Sequence, residues 1–284
     1  MSCRVSEALE RGTKLLQKCG VEDAQTSSEN LLSHVLKRTK TALYVEDKEV
    51  ISKEKIDKFF DLIKQRAGRY PLQYLIGKTS FRYADLKVGK GAFIPRPETE
   101  HLVDVVLDRI KINKCNHPRI LDIGTGTGCV AISLALEIPD ARVVATDKSI
   151  RSLRLAEKNA VASGVAKQIE FVHTNYWQGV SGKFDFVVSN PPYLSSEDLT
   201  HLQPEIKFEP KMALDGGRDG LRAYRYISRF APQVLDCEGI AVFEVGINQA
   251  SGVEDILKKS GFCNVWKTKD FSGIERIVSA QLRS

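Results

Sequence analysis

The chain has 284 residues, enough for one large domain or two of ordinary size, and its 42% hydrophobic and 27% charged residues suit a folded, water-soluble protein. No apolar run approaches the ~18 residues that cross a bilayer; six cysteines (3, 19, 115, 129, 237, 263) without CxxC spacing read as reduced packing thiols, and five dispersed histidines without HExxH argue against a metal site. The net charge of +6 lies wholly in residues 1–90, which hold 18 Lys and Arg against 12 Asp and Glu, while the remainder balances 24 against 24; the excess suits either a solvated helical surface or an acidic partner such as an RNA-rich assembly.

Residues 4–67 read as a small helical bundle. In "VSEALERGTKLLQKCG", Val5, Leu9, Leu15, Leu16 and Cys19 share a face and Gly20 ends the helix. "TSSENLLSHVLKR" opens on capping residues and repeats Leu31, Leu32, Val35 and Leu36. "SKEKIDKFFDLIKQRAG" opens at Ser52, carries Ile56, Phe59, Phe60 and Ile63, and ends at Gly68. Tyr70-Pro71 starts a connector, and "FRYADLKV" reads as a hairpin turning near Ala84-Asp85. From about residue 98 helices and strands alternate. "ETEHLVDVVLDRIK" precedes strand "RILDIG", "CVAISLALEI" precedes "ARVVATD", and "IRSLRLAEKNAVASG" precedes "QIEFVH". Strand "FDFVVSN" follows; then "GLRAYRYISRFAPQVL" precedes "GIAVFEVG", "QASGVEDILKKSG" precedes "CNVWKT", and "ERIVSAQL" closes. Such alternation predicts a doubly wound α/β sheet.

"LDIGTGTGCVAISLA" is a strand, a glycine turn and a helix. Gly124, Gly126 and Gly128 permit positive φ and close approach of a ligand to the backbone. The spacing is GxGxG, with Cys129 where the dinucleotide fingerprint wants glycine, and no Gly-Lys-Ser/Thr follows, so neither a dinucleotide nor a nucleoside triphosphate is the best guest. Asp147, ending "VVATD", is placed to accept two hydrogen bonds from ribose hydroxyls. Asp122, at the end of the first strand, is placed to face an ammonium group. A nucleoside carrying an amino acid satisfies both, which describes S-adenosylmethionine. After the third strand, Asn175, Tyr176 or Trp177 is positioned to offer adenine an amide or a ring face, the alternative being loop packing.

The apolar strand 184–189 stops at Asn190-Pro191-Pro192-Tyr193. Neither proline donates to a ladder, and both fix φ, so the Pro191 carbonyl is held stiffly. That carbonyl and the Asn190 side-chain oxygen make two acceptors for a planar NH₂ group, with Tyr193 packing on its plane. Accepting both protons frees the lone pair of a conjugated nitrogen for attack on a sulfonium methyl. Positioning then supplies most of the chemistry, which fits the absence of an evident Ser/His/Asp or Cys/His set. The motif suits a protein amide and the amino group of adenine equally.

With "FIPRPETE" (93–100) and "FEPKMALDGGRDGL" (208–221), these motifs resemble the HemK/PrmC family of protein-(glutamine-N5) methyltransferases over nearly the whole chain. The resemblance implies a class I S-adenosylmethionine-dependent methyltransferase fold, a Rossmann-like seven-stranded α/β sheet whose last hairpin is reversed, preceded by an N-terminal helical bundle. It implies a recognition domain over 1–70, a hairpin linker over 71–97 and a methyltransferase domain over 98–284. It implies that Asp122, Gly124, Thr125, Gly126, Thr127, Gly128, Asp147, Asn175, Tyr176 and Asn190 bind the cofactor. Asn190, Pro191, Pro192 and Tyr193 would hold the glutamine of a Gly-Gly-Gln loop in a class I peptide chain release factor, with Asn190, Pro191 and Tyr193 carrying catalysis. Arg96, Pro97 and Glu98 fall in a substrate-side cover, and the bundle would grip the factor. The family often has Asp before the adenine-side aromatic where this chain has Asn175. The first residues, "MSCRVSEALERG", resemble neither a secretory signal nor an acid-poor transit peptide. A cytoplasmic monomer is expected, or an organelle matrix protein in a eukaryote, without a membrane or sequence-specific nucleic-acid partner. Two other readings remain: an adenine-N6 methyltransferase acting on DNA or RNA, which would need a Lys/Arg-rich target-recognition region, and a binding module without catalysis.

Overall fold

A computed structural model describes residues 3–283. It divides into two compact units: residues up to 78 together with 203–208, and residues 79–202 with 209 onward.

In the first unit β1 (Cys3–Arg4) pairs antiparallel with β2 (Val50–Ile51). The helices are α1 (Val5–Lys18), α2 (Ala24–Leu36), α3 (Lys40–Val45), α4 (Lys53–Ala67) and α5 (Leu72–Ile76). Starts follow local chemistry: Arg4 N donates to Glu7 Oε2 at 3.1 Å ahead of α1, and Thr39 Oγ1 accepts from Ala42 N at 3.2 Å at the start of α3. The α1 face differs from the expected one. Val5, Ala8, Gly12 and Leu16 are buried, whereas Leu9 and Leu15 are half-buried at the core edge and Cys19 is exposed. The reason is close helix packing: a Cβ at Gly12 would lie 2.7 Å from Ser28 Oγ and 2.8 Å from the Phe59 ring, so small residues must face α2 and α4. Also, α2 begins at Ala24, so the Thr26-Ser27-Ser28 run sits inside the helix rather than ahead of it. Arg66, only 4% exposed, is compensated on three sides: by Ser27 Oγ at 3.0 Å, Asp23 at 2.7 Å and Glu205 of the 203–208 segment at 2.8 Å.

A hairpin of β3 (Lys78–Phe81) and β4 (Ala84–Lys87) begins at the boundary residue. It turns at Arg82-Tyr83 and not at Ala84-Asp85: Arg82 takes φ 47°, and Ala84 and Leu86 are buried on one face of β4. Then follow α6 (Glu100–Ile112), β5 (Arg119–Ile123), α7 (Cys129–Glu137), β6 (Arg142–Asp147), α8 (Ile150–Ala162), β7 (Ile169–His173) and β8 (Phe184–Ser189). The remainder is α9 (Arg222–Val234), β9 (Leu235–Glu244), α10 (Ala250–Lys259), β10 (Phe262–Lys269) and β11 (Glu275–Leu282). These strands form one seven-stranded sheet in the order β7-β6-β5-β8-β9-β11-β10. The first five run parallel, and of the last hairpin only β11 is reversed: it lies antiparallel between β9 and β10, so β10 points the same way as the first five. Central strands are near-continuous apolar runs because helices cover both faces. Leu102, Val106, Val130, Leu134 and Phe186 pack on one face; Leu121, Val187, Tyr224, Ile227 and Leu257 pack on the other. The parallel order reverses direction outward from β5, so the carboxyl ends of β5, β6 and β8 form the crevice where such sheets bind ligands. Among the described residues no helix is long and apolar enough to cross a membrane.

Candidate active site

The turn after β5 is anchored by backbone. Gly124 N and Thr125 N both donate to Thr146 O of β6, at 2.8 and 2.9 Å, and Gly128 N donates to Thr125 O at 2.8 Å. The glycines divide the work. At Gly128 (φ 84°) a Cβ would meet Ile132 at 3.0 Å and Ala156 at 3.1 Å, so this position serves the packing of α7 against α8. At Gly124 (φ 77°) a Cβ would meet nothing within 4 Å, which leaves a concave surface open to a ligand. Asn159 of α8 supports the turn from beneath, donating to Thr127 O at 2.9 Å and Lys87 O at 3.1 Å.

Three predicted cofactor residues carry polar capacity that the protein leaves open. Asp122 is 2% exposed, and its Oδ2 has no hydrogen-bond partner; Thr125 Oγ1 is likewise buried and unpaired. Burial pushes the Asp122 carboxyl up to about 7, opposed by Thr125 and reinforced by the nearby Asp147 charge. Asp147 Oδ2 accepts from Gly126 N at 2.9 Å and Oδ1 from Ser149 N at 2.7 Å. Burial raises its pKa as well, against these two bonds. Each oxygen keeps a second lone pair for a ligand hydroxyl. A buried acid without a partner is costly alone. The pair of acids beside an open glycine turn therefore fits a cationic amino acid joined to a ribose, the chemistry of S-adenosylmethionine.

After β7 the chain is less committed to a ligand. Asn175 is exposed. Tyr176 takes φ 65°, unusual for an aromatic residue, and its ring lies 4.5 Å from that of Tyr226. Trp177 packs 5.5 Å from both Tyr226 and Phe230 of α9. Both rings are partly taken up by packing against the core under α9 and α10.

The turn after β8 is held by side chains. Ser189 Oγ donates to Ile123 O at 2.7 Å, tying the two strand ends together. Asn190 Nδ2 donates to Thr99 Oγ1 at 3.0 Å, which turns its Oδ1 the other way. Pro191 is buried, and Pro192 and Tyr193 are half-buried. Gln249 Nε2 donates to Tyr193 O at 2.8 Å, and its Oε1 accepts from Gly246 N at 3.0 Å. Leu194 pairs with the 214–216 strip through Leu194 N to Leu214 O at 3.0 Å and Gly216 N to Leu194 O at 2.8 Å. Burial, with the Glu244 charge, pushes the Tyr193 phenol up to about 12, so the ring stays neutral.

The 93–100 segment meets this turn through Thr99, a residue the sequence reading passed over. Arg96 is engaged elsewhere: it pairs with Glu209 and lies 4.8 Å over the Phe93 ring, while Glu209 Oε2 also accepts from Ile94 N at 3.1 Å. Glu98 is exposed; burial raises the pKa of both Tyr193 and Glu244, and the Glu98 charge adds to it. Glu244, Gln249 and Glu209 were also missed. For Glu244 a signal existed, an acid closing the apolar strand "GIAVFE", the same signature that marked Asp122 in "RILDIG".

Residues 7–77 match the PrmC N-terminal domain and residues 100–207 the methyltransferase small domain. The release factor glutamine methyltransferase of Geobacter sulfurreducens is 38% identical, with 94% of this chain and 93% of that one covered. That of Thermodesulfovibrio yellowstonii is also 38% identical, over 89% and 91%. A methyltransferase of known structure from Pyrococcus furiosus, 16% identical, superposes with a TM-score of 0.54 over 71% of this chain and 90% of that one, a likeness of fold.

Proposed function

The chain belongs to the release factor glutamine methyltransferase family, and from that premise we propose how its own residues place a methyl group on the side-chain nitrogen of a release factor glutamine. The observation that carries the reading is the orientation of Asn190. One N–H of its NH₂ donates to Thr99 Oγ1 at 3.0 Å, which turns its oxygen toward the substrate. With the Pro191 carbonyl it accepts the two protons of the glutamine amide, and Tyr193 packs on the amide plane. An amide nitrogen so held is turned toward tetrahedral geometry with its lone pair aimed into the crevice. S-adenosylmethionine, when bound, supplies an electrophilic methyl group on a sulfonium. Gly124–Gly128 shape its seat, Asp147 takes the ribose hydroxyls, and Asp122 takes the ammonium group. Asn175 or Tyr176 borders adenine, and Arg96 and Glu98 lie on the substrate side. Near-attack positioning of this kind contributes up to ~7–11 kcal/mol. The proton leaves the nitrogen after transfer, so no strong base is needed beforehand.

The substrate glutamine is that of the Gly-Gly-Gln loop of a class I factor. The N-terminal bundle, which carries the chain's excess positive charge, grips the factor. The protein acts as a cytoplasmic monomer, with no membrane partner and no sequence-specific nucleic-acid partner. The test is methyl transfer from labelled S-adenosylmethionine to an intact release factor, to its loop Gln→Ala variant, and to DNA or RNA. Label on the intact factor alone is the expected result. Label on nucleic acid would favour the adenine reading, and label on neither a pure binding module.

A further inference from the structure

A Gly-Gly-Gln loop offers an enzyme little to hold. Two of its residues have no side chain, and the third is the one that reacts. Affinity for the factor must therefore come from contacts that flank the loop, made by parts of the fold beside NPPY.

Besides the turns after β5 and β8, two further loops lie at that end of the sheet. One, 245–249, follows β9, the parallel neighbour of β8. The other, 270–274, joins β10 to β11; because β11 is antiparallel to β9, this loop falls at the carboxyl end of β9 as well. Short contacts tie both to the motif. Val245 N donates to Arg276 O at 2.8 Å, joining the two loops at their base. A Cβ at Gly246 would lie 3.0 Å from the Tyr193 ring, so the 245–249 loop packs directly on that residue. The Phe271 ring meets the edge of the His101 ring, 5.0 Å between centroids. His101 is two residues beyond Thr99, whose hydroxyl accepts from Asn190.

Each loop turns a large apolar side chain to solvent: Ile247 is 57% exposed and Phe271 is 100% exposed. A single exposed apolar residue is ordinary. The backbone that carries Phe271 is not. Asp270 Oδ1 accepts from Ser272 N at 2.9 Å and Ile274 N at 3.0 Å, and Asp270 N donates to Ile274 O at 2.8 Å. Arg276 Nε donates to Asp270 Oδ2 at 3.0 Å. Asp270 thus locks a loop around an aromatic ring that the fold does not bury. A loop fixed before its partner arrives loses little conformational entropy on contact, and aromatic residues are enriched where proteins meet. We propose that Phe271 and Ile247 are docking anchors for the release factor: they take apolar surface flanking the Gly-Gly-Gln loop while NPPY holds the glutamine.

The chain carries its own control. Tyr83, at the tip of the β3–β4 hairpin, is 79% exposed. Its neighbour Arg82 pairs with Glu137, which ends α7 after that helix has run back from the glycine turn toward the start of β6. Tyr83 therefore lies at the opposite end of the sheet from NPPY.

The proposal rests on the release factor being the substrate, and the experiment separates the two. Full-length Phe271→Ala, Phe271→Leu, Ile247→Ser and Tyr83→Ala would be compared with wild type. The measurements are kcat and KM for an intact release factor, the dissociation constant of S-adenosylmethionine and the melting temperature. Phe271→Ala is expected to raise KM about 10-fold or more, the contribution of one buried aromatic side chain. Its kcat and cofactor affinity should stay within about twofold, the signature of lost substrate binding, and its melting temperature should not change. Phe271→Leu keeps an apolar side chain and recovers most of the loss. Ile247→Ser raises KM less, about three- to tenfold, and Tyr83→Ala leaves it unchanged. The inference is overturned if Phe271→Ala keeps the wild-type KM, if its melting temperature falls along with its activity, or if Phe271→Leu or Tyr83→Ala is as impaired as Phe271→Ala. A wild-type KM in Ile247→Ser removes that residue from the surface. Failure of the wild-type enzyme to label the release factor would instead sink the parent reading, before any variant is made.

Discussion

At the end of β5 the protein presents backbone: glycines whose missing side chains leave space, amides tied to Thr146, and two acids with acceptor capacity in reserve. At the end of β8, next in the sheet, it presents groups already held by side-chain hydrogen bonds: the Asn190 amide to the Thr99 hydroxyl, the Ser189 hydroxyl to the Ile123 carbonyl, and the Gln249 amide to the Tyr193 carbonyl. The first arrangement suits a ligand that brings its own charges and must be accommodated. The second suits a reacting group that must be aimed. The two turns should therefore fail differently when broken, one in affinity and the other in rate.

The sharpest test of that contrast is Asn190→Ala. Removing a preorganised hydrogen-bonding group that acts on the reacting atom costs roughly 10²–10³-fold in kcat. Cofactor affinity, measured by calorimetry, is expected to stay within about threefold of wild type. Equal losses in both would erase the distinction between the turns. Next comes Asp147→Ala, with the opposite signature. Charge-assisted hydrogen bonds contribute about 1.5–3 kcal/mol each, so S-adenosylmethionine should bind at least about tenfold more weakly. Freeing Gly126 N and Ser149 N adds to the loss. At saturating cofactor, kcat should recover most of its wild-type value; an unchanged dissociation constant would refute the ribose assignment.

A smaller effect comes from Asp122. Its carboxyl titrates at about 7 because it is buried, with Thr125 lowering and Asp147 raising it. An ammonium group opposite favours the charged form, so binding releases a proton whenever the free protein still holds it. Affinity should therefore rise with pH through about 7 and level off above. Between pH 8 and pH 6 the loss should be about tenfold, since each pH unit below the free-state pKa costs up to a factor of ten. Asp122→Asn should bind more weakly and show a flat profile over that window. A wild-type affinity independent of pH from 6 to 8 would remove the ammonium assignment.

The same division explains what the sequence revealed. The β5 turn is local: strand, glycines and the next acid follow one another along the chain, so GTGTG and Asp147 declare themselves. NPPY is equally local, and prolines after an apolar strand have few structural uses. Thr99, Glu244 and Gln249 are not local. Thr99 lies just ahead of α6, Glu244 at the end of β9 and Gln249 just ahead of α10, and only the fold brings them to Asn190 and Tyr193. Helices α3 and α5 escaped notice because six and five residues are too short to display a period. The hairpin turn was misplaced because Arg82 and Tyr83 are not turn formers by type; their conformation is imposed from outside, with Arg82 pairing to Glu137 at 2.6 Å.

Gln249 offers the mildest way to loosen the β8 turn without touching the groups that face substrate. Its amide bridges the Tyr193 carbonyl and Gly246 N, so Gln249→Ala strips two half-buried backbone groups of a partner. Each neutral hydrogen bond contributes about 0.5–1.5 kcal/mol net, and ~1 kcal/mol shifts the melting point of a domain this size by about 2–4 °C. A fall of several degrees is expected, together with a loss of roughly three- to tenfold in kcat/KM as the Tyr193 ring loses its fixed backbone. Cofactor affinity should not move, because nothing at the β5 turn leans on Gln249. If affinity for S-adenosylmethionine fell in step with kcat/KM, the two turns would be one mechanical unit, and the separation of accommodating from aiming would not hold.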